Sequence, residues 1–379
     1  MKKEDIVSLI VYILMLGIAL IVGFTLVKNM FSTYPKSFKV FSPYLFAILT
    51  IVVGVVINAV GLEVGHVLGG LIGGYSIVSF NVFGFCWYKS KGDKKFGFKD
   101  FDGLTGETIL APKKDKPNPK MYVWLPLIMY LVELIVCIII YSIGSRIEAN
   151  DNGNPLIWLA TASIIIIAIS SMMALYNFVP AKLDSMTDGY RLTLISKPIN
   201  VEAYNELMRI ENLQRDGLEV KDVRVFEEVT DFTTSINQIT VYENLAQKDF
   251  EGATKLIDKM CENPEKISHT TYYRLLAQKL YIKIITLPLE EAKKYYDVEI
   301  DDKVRRFISN DISMESIRAY VLIAGILDDS LGEVQFANTK KPKAMKRALA
   351  SRAKIEEVLY RESIDLVKKA HPDWDIANT

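Results

Sequence analysis

The apolar positions of this chain follow two regimes. Up to about Ser196 they come in long unbroken runs, and beyond it they recur every three or four residues among charged ones. A run of about 20 apolar residues is the length of helix that crosses a bilayer. Four such runs are present: Ile6 to Val27, Tyr44 to His66, Met121 to Ile143 and Pro155 to Phe178, the last with Trp158 placed as an interface anchor. The first is longer than a signal-peptide core and no small-x-small cleavage site follows it, so it reads as a retained span. Lysines crowd the segment from Lys89 to Lys120, whereas the stretch between the third and fourth runs has only Arg146. Lys28, Lys36 and Lys39 blur this asymmetry. The excess still places residues 89–120 and both termini in the cytoplasm, as expected of a multi-pass protein of the cell membrane.

Between the second and third runs the pattern changes again. Gly69, Gly70, Gly73 and Gly74 are expected to break the helix, and Tyr75 to Tyr88 is rich in β-branched and aromatic residues. Lys91-Gly92-Asp93-Lys94 is a turn signal, with Phe96 to Phe101 as a returning strand. The prediction is a membrane-associated β-hairpin over about 76–101, covered by protein or lying at the interface because unpaired strand edges are costly in lipid. After Ser196, amphipathic helices are predicted near 201–213, 234–247, 250–262, 267–286, 289–308, 312–327 and 343–369. Asn244-Leu245-Ala246 and Asp249-Phe250-Glu251-Gly252-Ala253 resemble the turn and second helix of a tetratricopeptide repeat, within a signature present only in fragments. The predicted fold class is an α-helical membrane protein. Residues 1–199 form the four-span transmembrane domain with its hairpin, and residues 200–379 form a soluble, cytoplasmic, repeat-like helical domain.

Composition sharpens this picture. Half of the 379 residues are apolar and the mean hydropathy is +0.19, high for a soluble protein. The net charge is zero, with a slightly basic first half and an acidic second half. No basic block or basic–aromatic patch points to nucleic acid. Cys86, Cys137 and Cys261 lie far apart and form no pair motif, so neither a disulfide framework nor a cysteine-based zinc site is suggested.

The candidate chemistry sits at Leu62-Glu63-Val64-Gly65-His66. With histidine at position 62 this would be His-Glu-x-x-His, which sets two imidazoles on one helix face for Zn²⁺ beside a glutamate general base. Two readings are open for Glu63 and His66: part of such a site, or polar groups at a helix end solvated at the interface. Asn177-Phe178-Val179-Pro180 and then Asp188-Gly189 follow the fourth run. With the topology above, the second and fourth spans end on the same side, so Asp188 can meet Glu63 and His66, although an Asp-Gly pair is also an ordinary turn.

The order of these pieces resembles the site-2 protease family of intramembrane zinc metalloproteases. It comprises a degenerate His-Glu-x-x-His, then Gly-Gly-x-x-Gly-Gly-Tyr with a short aromatic strand region, then Asn-x-x-Pro and Asp-Gly. The resemblance covers residues 40–200 and is closest to a bacterial branch with a cytosolic helical C-terminal domain. It implies Glu63 as catalytic base, His66 and Asp188 as zinc ligands, and cleavage of a substrate helix near its cytoplasmic end. It also implies that the hairpin holds the unwound substrate as an added strand.

Leu62 stands where the first ligand belongs, and leucine has no donor atom. His66 and Asp188 alone give two protein ligands, where a catalytic zinc usually has three plus water. Asn58, one turn earlier, and Glu133, mid-span in the third run, are the accessory candidates, with Asn177 beside the Asp. A mid-span carboxylate costs about 2.5–3.5 kcal/mol, so Glu133 is either a paired structural acid or functional. His269 and His371 lie in the second half, and Lys340-Lys341-Pro342-Lys343 reads as a solvated loop.

The expected function is a site-2 protease-like scaffold, impaired or inactive with Leu62, that holds a membrane-embedded peptide or protein segment. Zinc is the cofactor if the site is functional. An active metallopeptidase with a substitute ligand is one alternative. The other is a membrane adaptor or transport accessory, whose helical tail takes a cytosolic protein or peptide.

Overall fold

The computed structural model describes all residues except 1–2, 36–42, 91–92, 99–104, 115, 152, 181–186, 216–217, 219, 221–222, 349 and 377–379. The chain falls into two units, Met1–Asn205 and Glu206–Thr379.

In the first unit, α1 (Lys3–Thr33), α2 (Pro43–Gly73), α3 (Lys120–Gly144) and α4 (Pro155–Phe178) are the long helices. Of the described residues, α2, α3 and α4 form the helices long and apolar enough to cross a membrane, and α1 contributes a shorter apolar stretch, Leu9–Ile21. The α2, α3 and α4 helices pack pairwise against one another, and α1 packs on α4. Tyr34, Phe46 and Trp158 form an edge-to-face aromatic cluster with ring centroids 5.3–5.8 Å apart. That cluster joins the end of α1 to the starts of α2 and α4. The α2 and α4 helices therefore start at one end of the bundle and run the same way.

The glycines after the motif do not break α2, contrary to expectation. The helix continues through Gly69 and Gly70 and stops at Gly74, whose φ of 92° only glycine adopts readily. These glycines answer a packing need instead. A β-carbon at Gly65 would stand 2.7 Å from Pro126 Cα, one at Gly69 would meet the Met121 carbonyl, and one at Gly70 the Leu110 side chain. Helices cross this closely only where side chains are missing.

The predicted hairpin supplies three strands of a four-stranded antiparallel sheet, because Tyr75 to Tyr88, expected as one strand, folds back on itself after Val82. Its strands are β1 (Tyr75–Val82), β2 (Phe85–Ser90), β3 (Asp93–Phe98) and β4 (Gly106–Pro112), in the order β3-β2-β1-β4. Phe83 and Gly84, with φ of 50° and 89°, make the two-residue turn between β1 and β2. The predicted turn at Lys91-Gly92 lies outside the described residues, but Ser90 pairs with Asp93 on either side of it. β4 was not anticipated; it pairs with β1 through a register shift between Ile77 and Ser79.

The second unit is helical: α7 (Asp231–Ala246), α8 (Phe250–Cys261), α9 (His269–Thr286), α10 (Leu289–Glu299), α11 (Asp302–Asn310), α12 (Met314–Leu322), α13 (Leu331–Arg347) and α14 (Ala350–Ala370). The connecting helix α5 (Asp188–Leu194) and α6 (Pro198–Arg215) precede it. The predicted 289–308 helix is two helices, because Asp301 caps a new start by accepting from Lys303 and Val304 N–H. The Lys340-Lys341-Pro342-Lys343 stretch is inside α13 and is not a loop. Lys340 lies over the Phe336 ring, and Lys341 over the Tyr360 ring, where it also pairs with Glu357 at 3.1 Å. The α7–α8 hairpin matches the repeat-like fragment, yet α14 returns to α7. A strictly one-dimensional repeat array has no such closing contact.

One ion pair is fully buried here and a second is half-buried. Arg318 and Glu356 meet at 2.6 Å with neither side chain exposed, and the partly exposed Arg352 pairs with the buried Glu315. Burial alone would raise the Glu315 pKa, but the guanidinium groups of Arg352 and Arg274 hold it at about 2 against an ordinary 4.5. A depressed carboxylate contributes stability in full above 4.5 and loses it as pH falls towards about 2. Amide protection of α12 in hydrogen exchange should therefore fall more steeply across that window in the wild type than in Glu315→Gln.

The close α2–α3 crossing gives a second test. Gly65→Ala should destabilise by about 1–3 kcal/mol. Gly61→Ala, which meets nothing within 4 Å, should be neutral or stabilising by about 0.5–1 kcal/mol. Thermal unfolding in detergent separates the two, and equal shifts would contradict the packing account.

Candidate functional site

Because α2 and α4 run in the same direction, their later halves share one end of the bundle. There the structure brings together Glu63 and His66 of α2 and Asp188 at the start of α5, respectively 2 %, 4 % and 2 % exposed. His66 Nε2 lies 3.3 Å from Asp188 Oδ2. The motif is not at a helix end, since α2 continues past His66 for about 10 Å. Solvation at a helix terminus therefore does not account for these residues.

Each group is held by a local cause. Pro126 has no N–H to give the carbonyl four residues before it in α3, which belongs to Tyr122. That carbonyl instead sits 2.9 Å from His66 Nδ1. Tyr122 O can only accept, so Nδ1 donates to it, and Nε2 is the ring nitrogen that faces the Asp188 carboxylate. The Tyr122 ring also stacks on the imidazole at 4.4 Å. A backbone carbonyl behind a histidine is the usual support of a metal-binding imidazole.

Glu63 is fixed by β4. Thr108 Oγ1 donates to Glu63 Oε2 at 2.5 Å, and Tyr122 Oη donates to the Thr108 carbonyl at 3.1 Å. Gly106 makes the approach possible, because a β-carbon there would meet the Asn81 carbonyl and stand 3.0 Å from Glu63 Cγ.

Asp188 opens α5, capped by Thr187, which accepts from Tyr190 N–H at 3.2 Å. Gly189 packs against the Phe178 carbonyl, where a side chain has no room. Asp188 Oδ2 accepts from Asn177 Nδ2 at 2.7 Å, and Oδ1 is 3.4 Å from Arg191 Nη1. Burial alone would raise the Asp188 pKa, but His66, Arg191 and Asn177 together hold it below the ordinary carboxylate value. Burial would likewise lower the pKa of Arg191, yet Tyr122 and Asp188 beside it hold it above the ordinary value. Arg191 thus supplies a permanent positive charge at the Asp.

The sequence-predicted residues divide accordingly. Glu63, His66, Asp188 and Asn177 converge. Asn58 and Glu133 pair with each other at 3.0 Å instead. Thr108, Tyr122, Pro126 and Arg191 were missed. A proline four residues after Tyr122 and an arginine three after Asp188 are their legible traces; Thr108 had none, since β4 itself was not expected.

The separation of His66 Nε2 and Asp188 Oδ2 matches two corners of a tetrahedral zinc site, about 3.3 Å for bonds near 2.0 Å. The donor set nevertheless falls short. Leu62 offers no atom, and among the described residues no group of three His, Cys, Asp or Glu side chains is placed to hold a metal. The residues present therefore do not fit a catalytic zinc, and Arg191 takes up charge on Asp188 that a metal would otherwise neutralise. No protein-family model, curated protein or solved structure matches the chain.

Removing the Thr108 hydroxyl leaves a buried carboxyl without its donor, which costs about 1–3 kcal/mol. Thr108→Val should lower the unfolding midpoint in detergent, and Thr108→Ser should restore it.

Proposed function

We propose that this chain is a membrane scaffold of the site-2 protease type that engages a membrane-embedded peptide or protein segment without cutting it. The observation that carries the reading is the convergence of Glu63, His66 and Asp188 around a position, Leu62, that cannot ligate. The nearness of Glu63, of His66 with the Tyr122 carbonyl behind it, and of Asp188 supports this reading. Without a third ligand, the positioned Glu63 has no metal-bound water to activate.

The same proposal includes the membrane placement. The α2, α3 and α4 helices cross the bilayer, α1 makes a fourth crossing, and residues 89–120, both termini and the C-terminal helical unit lie in the cytoplasm. The segment is held as an added strand at the free edge of β3, where main-chain groups face outward. The helical unit takes a cytosolic protein or peptide.

Zinc analysis of the purified protein tests this reading. The wild type should hold far less than one zinc per chain, and Leu62→His should raise this to near-stoichiometric, because only one corner is missing. In that background Pro126→Ala, which returns an N–H to the Tyr122 carbonyl, should weaken zinc affinity by about 10-fold or more. A wild type with one zinc per chain that cuts a membrane substrate would make the protein an active metallopeptidase. If Leu62→His gains no zinc, the site is not a protease relic. If deleting residues 200–379 abolishes the cellular function while Glu63→Gln leaves it intact, the adaptor reading replaces this one.

A further inference from the structure

The interior of the first unit holds a second polar cluster, separate from the Glu63–His66–Asp188 site. Asn58 on α2, Glu133 on α3 and Ser170 on α4 come from the three long apolar helices. Asn58 Nδ2 donates to Glu133 Oε1 at 3.0 Å and to the Gly54 carbonyl at 2.9 Å. Asn58 and Ser170 are fully buried, whereas Glu133 is half-buried. Ser170 interacts with the Glu133 carboxyl, and among the described residues Asn58 Oδ1 and Tyr130 Oη, one turn from Glu133 on α3, have no hydrogen-bond partner. The neighbouring outer positions of α3, Leu131, Val132, Ile135 and Val136, are exposed and apolar.

A chain that needed only to fold in lipid would carry an apolar side chain at position 133. Ionisable side chains inside a bilayer are rare and mark sites that meet a partner, an ion or a substrate. Glu133 is backed by Asn58, which orients its carboxyl, and is itself within reach from outside. Between membrane helices, polar side chains act as hydrogen-bonding glue, since lipid tails give no hydrophobic preference for one helix over another.

We propose that Glu133 docks a transmembrane segment that carries a hydrogen-bond-donating side chain near the middle of the bilayer, with Asn58 as the residue that positions the carboxyl. The inference rests on the scaffold reading and names the chemistry of the segment the scaffold holds. It also sets a depth, because Asn58 lies about 7.5 Å of helix rise from Glu63. The donor on the partner therefore sits about that far into the membrane from the part of the segment facing Glu63.

The probes are lysine-flanked polyleucine helices of about 20 residues, either all-leucine or with one asparagine moved along the span. Their association with the full-length protein is read by energy transfer in phosphatidylcholine vesicles. The central-asparagine helix should associate about 5-fold more tightly than the all-leucine helix, and the advantage should fade as the asparagine approaches either end. Glu133→Leu should abolish the preference, and Glu133→Gln should keep most of it. Equal association of the two helices with the wild type, or a preference that survives Glu133→Leu, overturns the inference and leaves the scaffold reading standing. If no helix of either kind associates, both fall.

Discussion

At Gly65 the backbone of α2 lies against the backbone of α3 at Pro126, and at Gly69 it lies against Met121 and Tyr122. This contact sets the positions on which the site depends. It carries His66 to the Tyr122 carbonyl, which Pro126 has left without its helical donor. It also brings the Tyr122 ring under the imidazole and its hydroxyl to β4. A single methyl group at either glycine would push the two helices apart. Three functions of α3, namely spacing, imidazole orientation and support of the strand that holds Glu63, thus depend on one small-residue crossing.

Around that crossing, charge is arranged as if for a metal, but with different occupants. Asp188 is buried and remains ionised because Arg191, Asn177 and His66 surround it. In a metal site the cation would supply that stabilisation. Here His66 supplies the largest share and the Arg191 guanidinium from the next turn of α5 adds to it, so a buried aspartate does not by itself imply zinc. The proposed role as a non-cutting scaffold follows from this substitution of one kind of positive charge for another.

The helical unit has a different logic. Its buried Arg318–Glu356 pair and half-buried Arg352–Glu315 pair link α12 to α14, and α14 packs back on α7. Buried ion pairs add little net stability but strongly penalise any arrangement that separates them. They thereby favour one closed packing of these helices over an open stack of hairpins.

Periodicity and composition determined much of this protein. The unbroken runs matched α3 and α4 within a residue or so and the start of α2, which continues two turns past the expected end, and the three-to-four spacing matched most of the later helices. The meeting of Glu63, His66 and Asp188 was legible because two runs that point the same way end on one side. What the sequence misjudged were residues whose role depends on a distant neighbour. The Gly69–Gly70 pair reads as a helix break, yet it is a contact surface because Met121 and Leu110 press on it. Pro342 reads as a loop but sits within α13, where lysines lie over aromatic rings. Residues 106–112 show no strong local signal and become β4 only because β1 offers them an edge. That Asn58 and Glu133 meet each other and not the zinc-like site was likewise decided by the tertiary structure. Local pattern fixes which face of a helix is apolar, whereas which partner that face meets depends on close packing between segments far apart in the chain.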